Sequence, residues 1–248
     1  MHGNRKEIDG TGCFCKSILI MAEKNTRESI IDLLINKAAL KQDVAEYAEK
    51  VFLQFKELVQ QELEVLSKSV DDSRVRLKFE DKGKYEFRVS IGSDVLVFQL
   101  HSNIFRLPDN DPLWKTTYLK ENGANGFFAI INIYNFLAES FERHRSNDAG
   151  YLIGRVFLNH DEHFMVEGHG QLGTLFQDLE HGELNEEIIR QILQSSMAYA
   201  IEFDLITPPY DMIQQVTVKE INVISSDLQV ATGKRLGFRF SADDKDIY

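Results

Sequence analysis

Three histidines and two glutamates lie between residues 160 and 169. If His163 begins a strand, the strand's period of two places His163, Glu167 and His169 on one face. Two neutral imidazoles and one carboxylate suit zinc or ferrous iron and leave coordination positions open for water or substrate. The pattern supports the hypothesis of a metal-dependent enzyme in which Asp161 or Glu162 acts as a nearby base.

The same three residues also have a plain structural interpretation. Polar residues at every second position are typical of the solvated face of an antiparallel strand. Side chains on one face of a strand lie roughly 7 Å apart at their bases, which is wide for ligands of one ion. The sequence therefore predicts no obligatory cofactor, and zinc or iron at His163, Glu167 and His169 stays open as the alternative.

Two groups of basic residues offer contacts for an anion or for an acidic partner segment. Arg76, Lys78 and Arg88 lie on the polar face of a predicted hairpin, where such groups can bind phosphate or carboxylate. Lys234 and Arg235 form a basic turn between two predicted strands, without the glycine spacing of a phosphate loop. Interleaved acidic residues and ordinary hairpin chemistry favour a solvated surface over an anion site in both places.

Charge and composition narrow the class of partner. The 248 residues carry a net charge of −11, which repels nucleic acid and anionic membrane surfaces, so neither is expected as a partner. The longest uncharged apolar runs fall far short of the ~20 residues that span a bilayer. Cys13 and Cys15 are the only cysteines, which is typical of a reducing compartment and predicts a cytoplasmic protein.

The elements that must position these residues follow from hydrophobic periodicity. Apolar residues at three- and four-residue spacing predict a long amphipathic helix over residues 42–68. Residues 74–80, 85–91 and 95–100 alternate or run apolar, and they predict a three-stranded antiparallel meander whose apolar face receives that helix. Further expectations are a short capped helix from Thr26, helices at 127–145 and 185–203, a hairpin at 151–158 and 163–168, and strands at 215–224 and 235–240.

Together these elements define an α+β protein. An antiparallel β-sheet, made of a meander plus hairpins, is packed by a long N-terminal amphipathic helix and two further helices. Residues 1–20 are expected to be a disordered leader. Residues 21–248 are expected to form a single domain, helical over 21–70 and mixed sheet and helix over 71–240.

The order helix, three strands, helix, two strands, helix resembles the layout of type III secretion chaperone-like proteins and YbjN-type proteins. Residues 133–153 are similar to an uncharacterised family of conserved bacterial proteins. These resemblances imply a bacterial, chaperone-like protein and transfer no functional residues.

The sequence is compatible with three functions. The first is a non-catalytic binding or adaptor protein, a homodimer whose helix-backed sheet offers a groove to a peptide or protein partner. The second is the metal-dependent enzyme. The third is a sensor that holds a small ligand between sheet and helices near Trp114 and Tyr118.

Overall fold

The computed structural model describes residues 26–204 and residue 218. The chain divides into two compact units, residues 1–43 and residues 44–248. In the first unit, residues 26–32 are helical and continue into a π-helical stretch, Leu33–Ala38. The helix α1, Ala39–Ser69, follows directly, so the separate short helix predicted from Thr26 is wrong, since residues 26–41 contain no glycine or proline that would end it.

In the described part of the second unit, seven antiparallel strands form the sheet. Six of them lie in the order β1-β2-β3-β5-β6-β7, and the short strand β4 pairs with the start of β5. The strands are β1 Leu77–Asp81, β2 Glu86–Ile91, β3 Asp94–Leu100, β4 Phe105–Arg106, β5 Phe127–Leu137, β6 Tyr151–Leu158 and β7 Phe164–Gly168. The remaining α-helices are α2 Thr117–Glu121, α3 Ala138–Glu142, α4 Leu172–Leu175 and α5 Glu186–Glu202.

The inner face of the sheet is covered by α1 and α5. Phe52 of α1 lies against Phe87 of β2, and Phe55 lies against Phe98 of β3, with ring centroids 5.2 and 6.3 Å apart. α5 packs against β3 and is joined to α1 through Arg190, which donates a hydrogen bond to Glu62 at 2.7 Å. The two helices therefore form one layer on one face of the sheet.

A buried lysine fastens α1 to the turn between β1 and β2. Lys56 is only 7% exposed, and its Nζ donates hydrogen bonds to Asp81 Oδ1 and to the Gly83 carbonyl oxygen, each at 2.7 Å. Gly83 has a φ of +100°, which a residue with a side chain rarely adopts. The bonded ammonium group lowers the pKa of the Asp81 carboxyl.

Among the residues that the structure describes, two apolar clusters cover the two ends of the outer face of the sheet. One cluster joins β5, β6 and β7 to the segment before β5, and the other joins β3 to α3. The first cluster consists of Leu107, Leu119, Phe128, Ile130, Phe157, Met165 and Leu179. The second cluster consists of Val95, Val97 and Ala138. The surface between the two clusters carries polar residues.

The two edges of the sheet differ. At β7, the backbone N–H groups of Phe164 and Val166 donate to the carbonyl oxygens of Gly182 and Phe176, at 2.8 and 2.7 Å. The segment after α4 thus closes this edge. β1 is the other edge strand, and within the described residues no strand pairs with its outer side.

Most of the predicted elements are confirmed. The α+β class, the meander, the hairpin of β6 and β7, and the packing of α1 on the apolar face all appear as expected. The helix that ends at Glu202 begins where the sequence placed it, because the Asn185 side chain accepts the Ile188 backbone N–H at 3.0 Å. The predicted strands 215–224 and 235–240 lie outside the described residues.

The helix predicted for 127–145 is wrong over most of its length. Phe127–Leu137 is the strand β5, and only Ala138–Glu142 is helical. β5 lies between β3 and β6 and is buried from Phe128 to Ile131 on both faces, so its apolar residues run continuously instead of alternating. Such a run imitates the apolar content of a buried helix.

Among the described residues, no helix combines the length and apolar character needed to cross a membrane. The leader and single domain expected from the sequence stay predictions.

Neighbouring residues of α1 allow a matched test of the helix–sheet packing. Phe52 is 1% exposed and Leu53 is 57% exposed. Phe52→Ala should lower the free energy of unfolding by about 3–5 kcal/mol, because it leaves a cavity beside Phe87. Leu53→Ala should change it by less than about 1 kcal/mol. Chemical denaturation measures both, and equal losses would contradict this packing.

Candidate functional site

A row of four polar side chains crosses the open middle of the outer face. The strand register pairs Gln99 with Asn132, Asn132 with Arg155, and Arg155 with Glu167. The row therefore crosses β3, β5, β6 and β7, one residue from each. Adjacent strands lie about 4.8 Å apart, so the row is roughly 14 Å long.

Apolar residues flank this polar row on both sides. On one side Val97 pairs with Tyr134 and Tyr134 with Leu152. On the other side Ile130 pairs with Phe157, which pairs with Met165 of β7. The outer face thus has a central polar row between two apolar rows.

Two neighbouring clefts open onto the polar row and share Asp111 and Glu167. One has a volume of about 430 Å³ and lies between the sheet and the segment from His101 to Asp111. The other, of about 440 Å³, lies between Asp111–Leu113 and the stretch Met165–Gly168. Volumes of this size match small ligands or peptide side chains.

Stacking and hydrogen bonds fix the wall of the first cleft. The Arg106 guanidinium lies 4.7 Å from the ring centroid of Trp114, and it pairs with Asp109. Trp114 Nε1 donates to the Pro108 carbonyl oxygen at 2.8 Å. Asp111 accepts the Leu113 N–H at 2.9 Å and so caps the 3₁₀ turn Pro112–Lys115.

His163 has partners that do not involve the other proposed metal ligands. Its ring is stacked on the Tyr118 ring, with centroids 5.1 Å apart and an interplanar angle of 4°. Its Nδ1 lies 3.0 Å from the Leu179 carbonyl oxygen. Burial is the main cause that raises the pKa of Tyr118 to about 12, so this phenol stays neutral at physiological pH.

Glu167 and His169 also have separate partners. Glu167 forms an ion pair with Arg155 on the neighbouring strand. The His169 ring stacks on Tyr199 of α5, with centroids 6.1 Å apart. Within residues 26–204 no three His, Cys, Asp or Glu side chains form a group suited to a metal ion. Zinc or iron at His163, Glu167 and His169 remains a prediction from the sequence.

A buried polar network holds the turn between β6 and β7. Asn159 is fully buried, donates to the Tyr118 hydroxyl at 2.8 Å, and accepts the His163 N–H at 3.0 Å. Asn125 donates to Asp161 at 2.6 Å, and the Tyr118 hydroxyl donates to the same carboxylate at 3.1 Å. The residues that the sequence offered as bases are therefore part of a hydrogen-bonded turn.

The predicted basic strip lies on the outer face at the β1–β2 end. Arg76, Lys78 and Arg88 line a third cleft of about 440 Å³ beside α3. Each is paired with a carboxylate: Arg76 with Glu142, Lys78 with Glu80, and Arg88 with Glu86. The strip therefore carries compensated charge.

The Arg88 guanidinium also lies over the Phe141 ring, 4.2 Å from its centroid. Lys234 and Arg235, the other predicted anion contacts, lie outside the described residues.

Of the four residues of the polar row, the sequence singled out only Glu167; Gln99, Asn132 and Arg155 were not predicted. Asn132 lies in the segment predicted as a helix, where its pairing with β3 and β6 could not be seen. Arg155 is the polar residue of a correctly predicted strand, and its alternation with Gly154 and Val156 was the available signal.

Comparison with known proteins gives no match, whether to a family model, a curated protein or a solved structure. The resemblance to chaperone-like and YbjN-type proteins therefore stays a prediction.

Glu80 should make stability depend on acid pH. Hydrogen bonds from Lys78 and Lys82 lower the pKa of its carboxyl from 4.5 to about 2. A lowered pKa in the folded state stabilises the fold above about pH 4.5, and this contribution disappears as the pH falls toward 2.

Glu80→Gln should therefore be less stable than the wild type at pH 7, with a difference that shrinks below pH 4.5. Urea denaturation at several pH values measures this difference. A difference independent of pH would show that the two lysines do not hold the ionised form.

Proposed function

We propose that this protein is a non-catalytic binding or adaptor protein that receives an extended peptide segment of a partner on the outer face of its sheet. The polar row of Gln99, Asn132, Arg155 and Glu167, set between two apolar rows, carries the proposal. A chaperone-like role in the bacterial cytoplasm is the setting that the sequence favours.

The dimensions of the row suit a short peptide. An extended chain advances about 3.3 Å per residue, so a row roughly 14 Å long accommodates four or five residues. The clefts of about 430 and 440 Å³ beside the row offer space for side chains at either end of such a segment.

The chemistry of the row also suits a peptide backbone. The side chains of Gln99 and Asn132 make no hydrogen bond to other described residues. Each amide group presents two donors and an acceptor, which are the groups that a peptide N–H and C=O require. The flanking rows around Val97 and Phe157 favour apolar side chains of the bound segment.

The placement of the candidate catalytic residues favours binding over the metal-dependent alternative. His163 is stacked on Tyr118 and Glu167 is paired with Arg155, so each already stabilises the fold. Acid–base chemistry requires a group that can reach substrate in the appropriate protonation state.

A homodimer is the second part of the proposal. The helical stretch of residues 30–35 exposes five large aliphatic side chains, which water-exposed helices rarely carry together. They are Ile30, Ile31, Leu33, Leu34 and Ile35, exposed by 51%, 48%, 52%, 59% and 64%. A second copy is the occupant we propose, because the same stretch on two chains can pair about a two-fold axis with apolar surface on both sides.

Peptide recognition can be tested by selection. Peptides enriched from a random library on the wild type should bind Asn132→Lys at least tenfold more weakly, because the lysine places bulk and charge in the middle of the row. Gln191→Lys is the matched control: it adds the same charge on α5, in the helical layer, and should leave affinity unchanged. Failure to enrich any peptide, or equal binding by both variants, would contradict the proposal.

The dimer can be tested by light scattering after size exclusion. The wild type should have twice the chain mass, and Leu34→Glu should have the mass of one chain, since the charge would be buried in the interface. Val65→Glu, at a residue 59% exposed on α1, is the control and should remain dimeric. A monomeric wild type would refute the dimer without affecting the peptide test.

A further inference from the structure

We infer that the cleft of about 430 Å³ beside Arg106 and Arg155 binds a carboxylate attached to an apolar body. A small organic acid and the C-terminal residue of a peptide share this chemistry. The cleft shares Asn132, Arg155 and Glu167 with the polar row, so the inference assigns a ligand chemistry to one part of the proposed site. It is tested with small probes that do not require a peptide segment to lie along the row.

Hydrogen-bond donors are concentrated in this cleft. Arg106, Arg155, Asn132 and His101 all line it. His101 Nδ1 accepts the backbone N–H of Asn103 at 3.0 Å, so in the neutral ring the proton lies on Nε2. Three kinds of N–H donor therefore line the same space.

The carboxylates in the cleft are already engaged. Glu167 pairs with Arg155, and Asp111 accepts the Leu113 N–H. Arg106 is paired with Asp109. A guanidinium has five N–H donors and one carboxylate occupies only part of them, so both arginines retain donors for a second acceptor. The lining charges of Arg106 and Arg155 balance those of Asp111 and Glu167, so the lining itself adds no negative charge to the net −11 of the chain.

Both guanidinium groups are held by aromatic rings. Arg106 lies 4.7 Å from the Trp114 centroid and Arg155 lies 5.2 Å from the Phe157 centroid. These contacts restrict the two side chains before a ligand arrives and so lower the ordering cost of binding.

The rest of the cleft is apolar. Its lining includes Phe105, Phe128, Ile130 and Phe157, and Phe105 remains 39% exposed. Donors at one part of a cleft and aromatic rings at another are the arrangement that orients an amphipathic ligand. A carboxylate with an aromatic or branched aliphatic body fits both parts.

Trp114 provides the readout because it is the single tryptophan and stacks on Arg106. The probes are 3-phenylpropionate, its uncharged amide, and a tetrapeptide ending in phenylalanine with a free or an amidated carboxyl group. The free acid or the free-carboxyl peptide should change tryptophan fluorescence in a saturable way, and the corresponding amide should bind at least tenfold more weakly. Calorimetry on the same samples checks each affinity.

Two variants and a control complete the test. Arg155→Met and Asn132→Leu should each weaken carboxylate binding at least fivefold, and near-UV circular dichroism shows whether they keep the native fold. Arg74→Met removes an exposed arginine that pairs with Asp72 before β1, and it should bind as the wild type does.

Binding of the small acid alone identifies a small-molecule site, and binding of the free-carboxyl peptide identifies a peptide C-terminus. Equal binding of acid and amide, unchanged affinity in folded Arg155→Met and Asn132→Leu, or no binding of either carboxylate would overturn the inference. None of these results depends on whether library peptides occupy the polar row.

Discussion

Contact between aromatic rings determines which face of the sheet meets the helices. Phe87 and Phe98 are paired across β2 and β3 with stacked rings 4.6 Å apart, and α1 adds Phe52 and Phe55 to them. Because side chains alternate between faces, a slip of one residue would move every inner side chain outward. The ring contacts that fix the inner face of β2 and β3 therefore also fix which residues of these two strands face outward, Gln99 of the polar row among them.

The parts of the fold that the sequence predicted well are those with a clean local pattern. β2 alternates because one face is covered and the other is largely polar, and Asn185 marks the start of α5 by its own capping bond. β5 was misread because burial on both faces removes the alternation that identifies a strand. A strand covered on one face and a strand covered on both differ in the number of buried faces. A sequence pattern reports this number only indirectly.

The candidate site was less predictable because its residues meet through strand pairing. Glu167 was identified as a notable carboxylate, but its partner Arg155 lies twelve residues earlier and is brought to it by the register of β6 and β7. Asn132 belongs to a third strand. The histidines are the reverse case: their types suggested metal chemistry, and in the structure His163 stacks on Tyr118 and His169 stacks on Tyr199. Residue type indicates what a side chain is able to do, and its neighbours determine which of those roles it takes.

The unequal edges of the sheet limit how this protein could assemble by strand addition. β7 is closed by the segment that follows α4, so in the described part of the chain only β1 has a side available to another strand. Two copies of a sheet with one open edge can pair through that edge, and the pair then has no open edge for a third copy. The charged residues of β1 and its turn, Lys78, Glu80 and Asp81 among them, oppose even that step. Through its described edges, the folded sheet is thus protected against growth into an open-ended fibre.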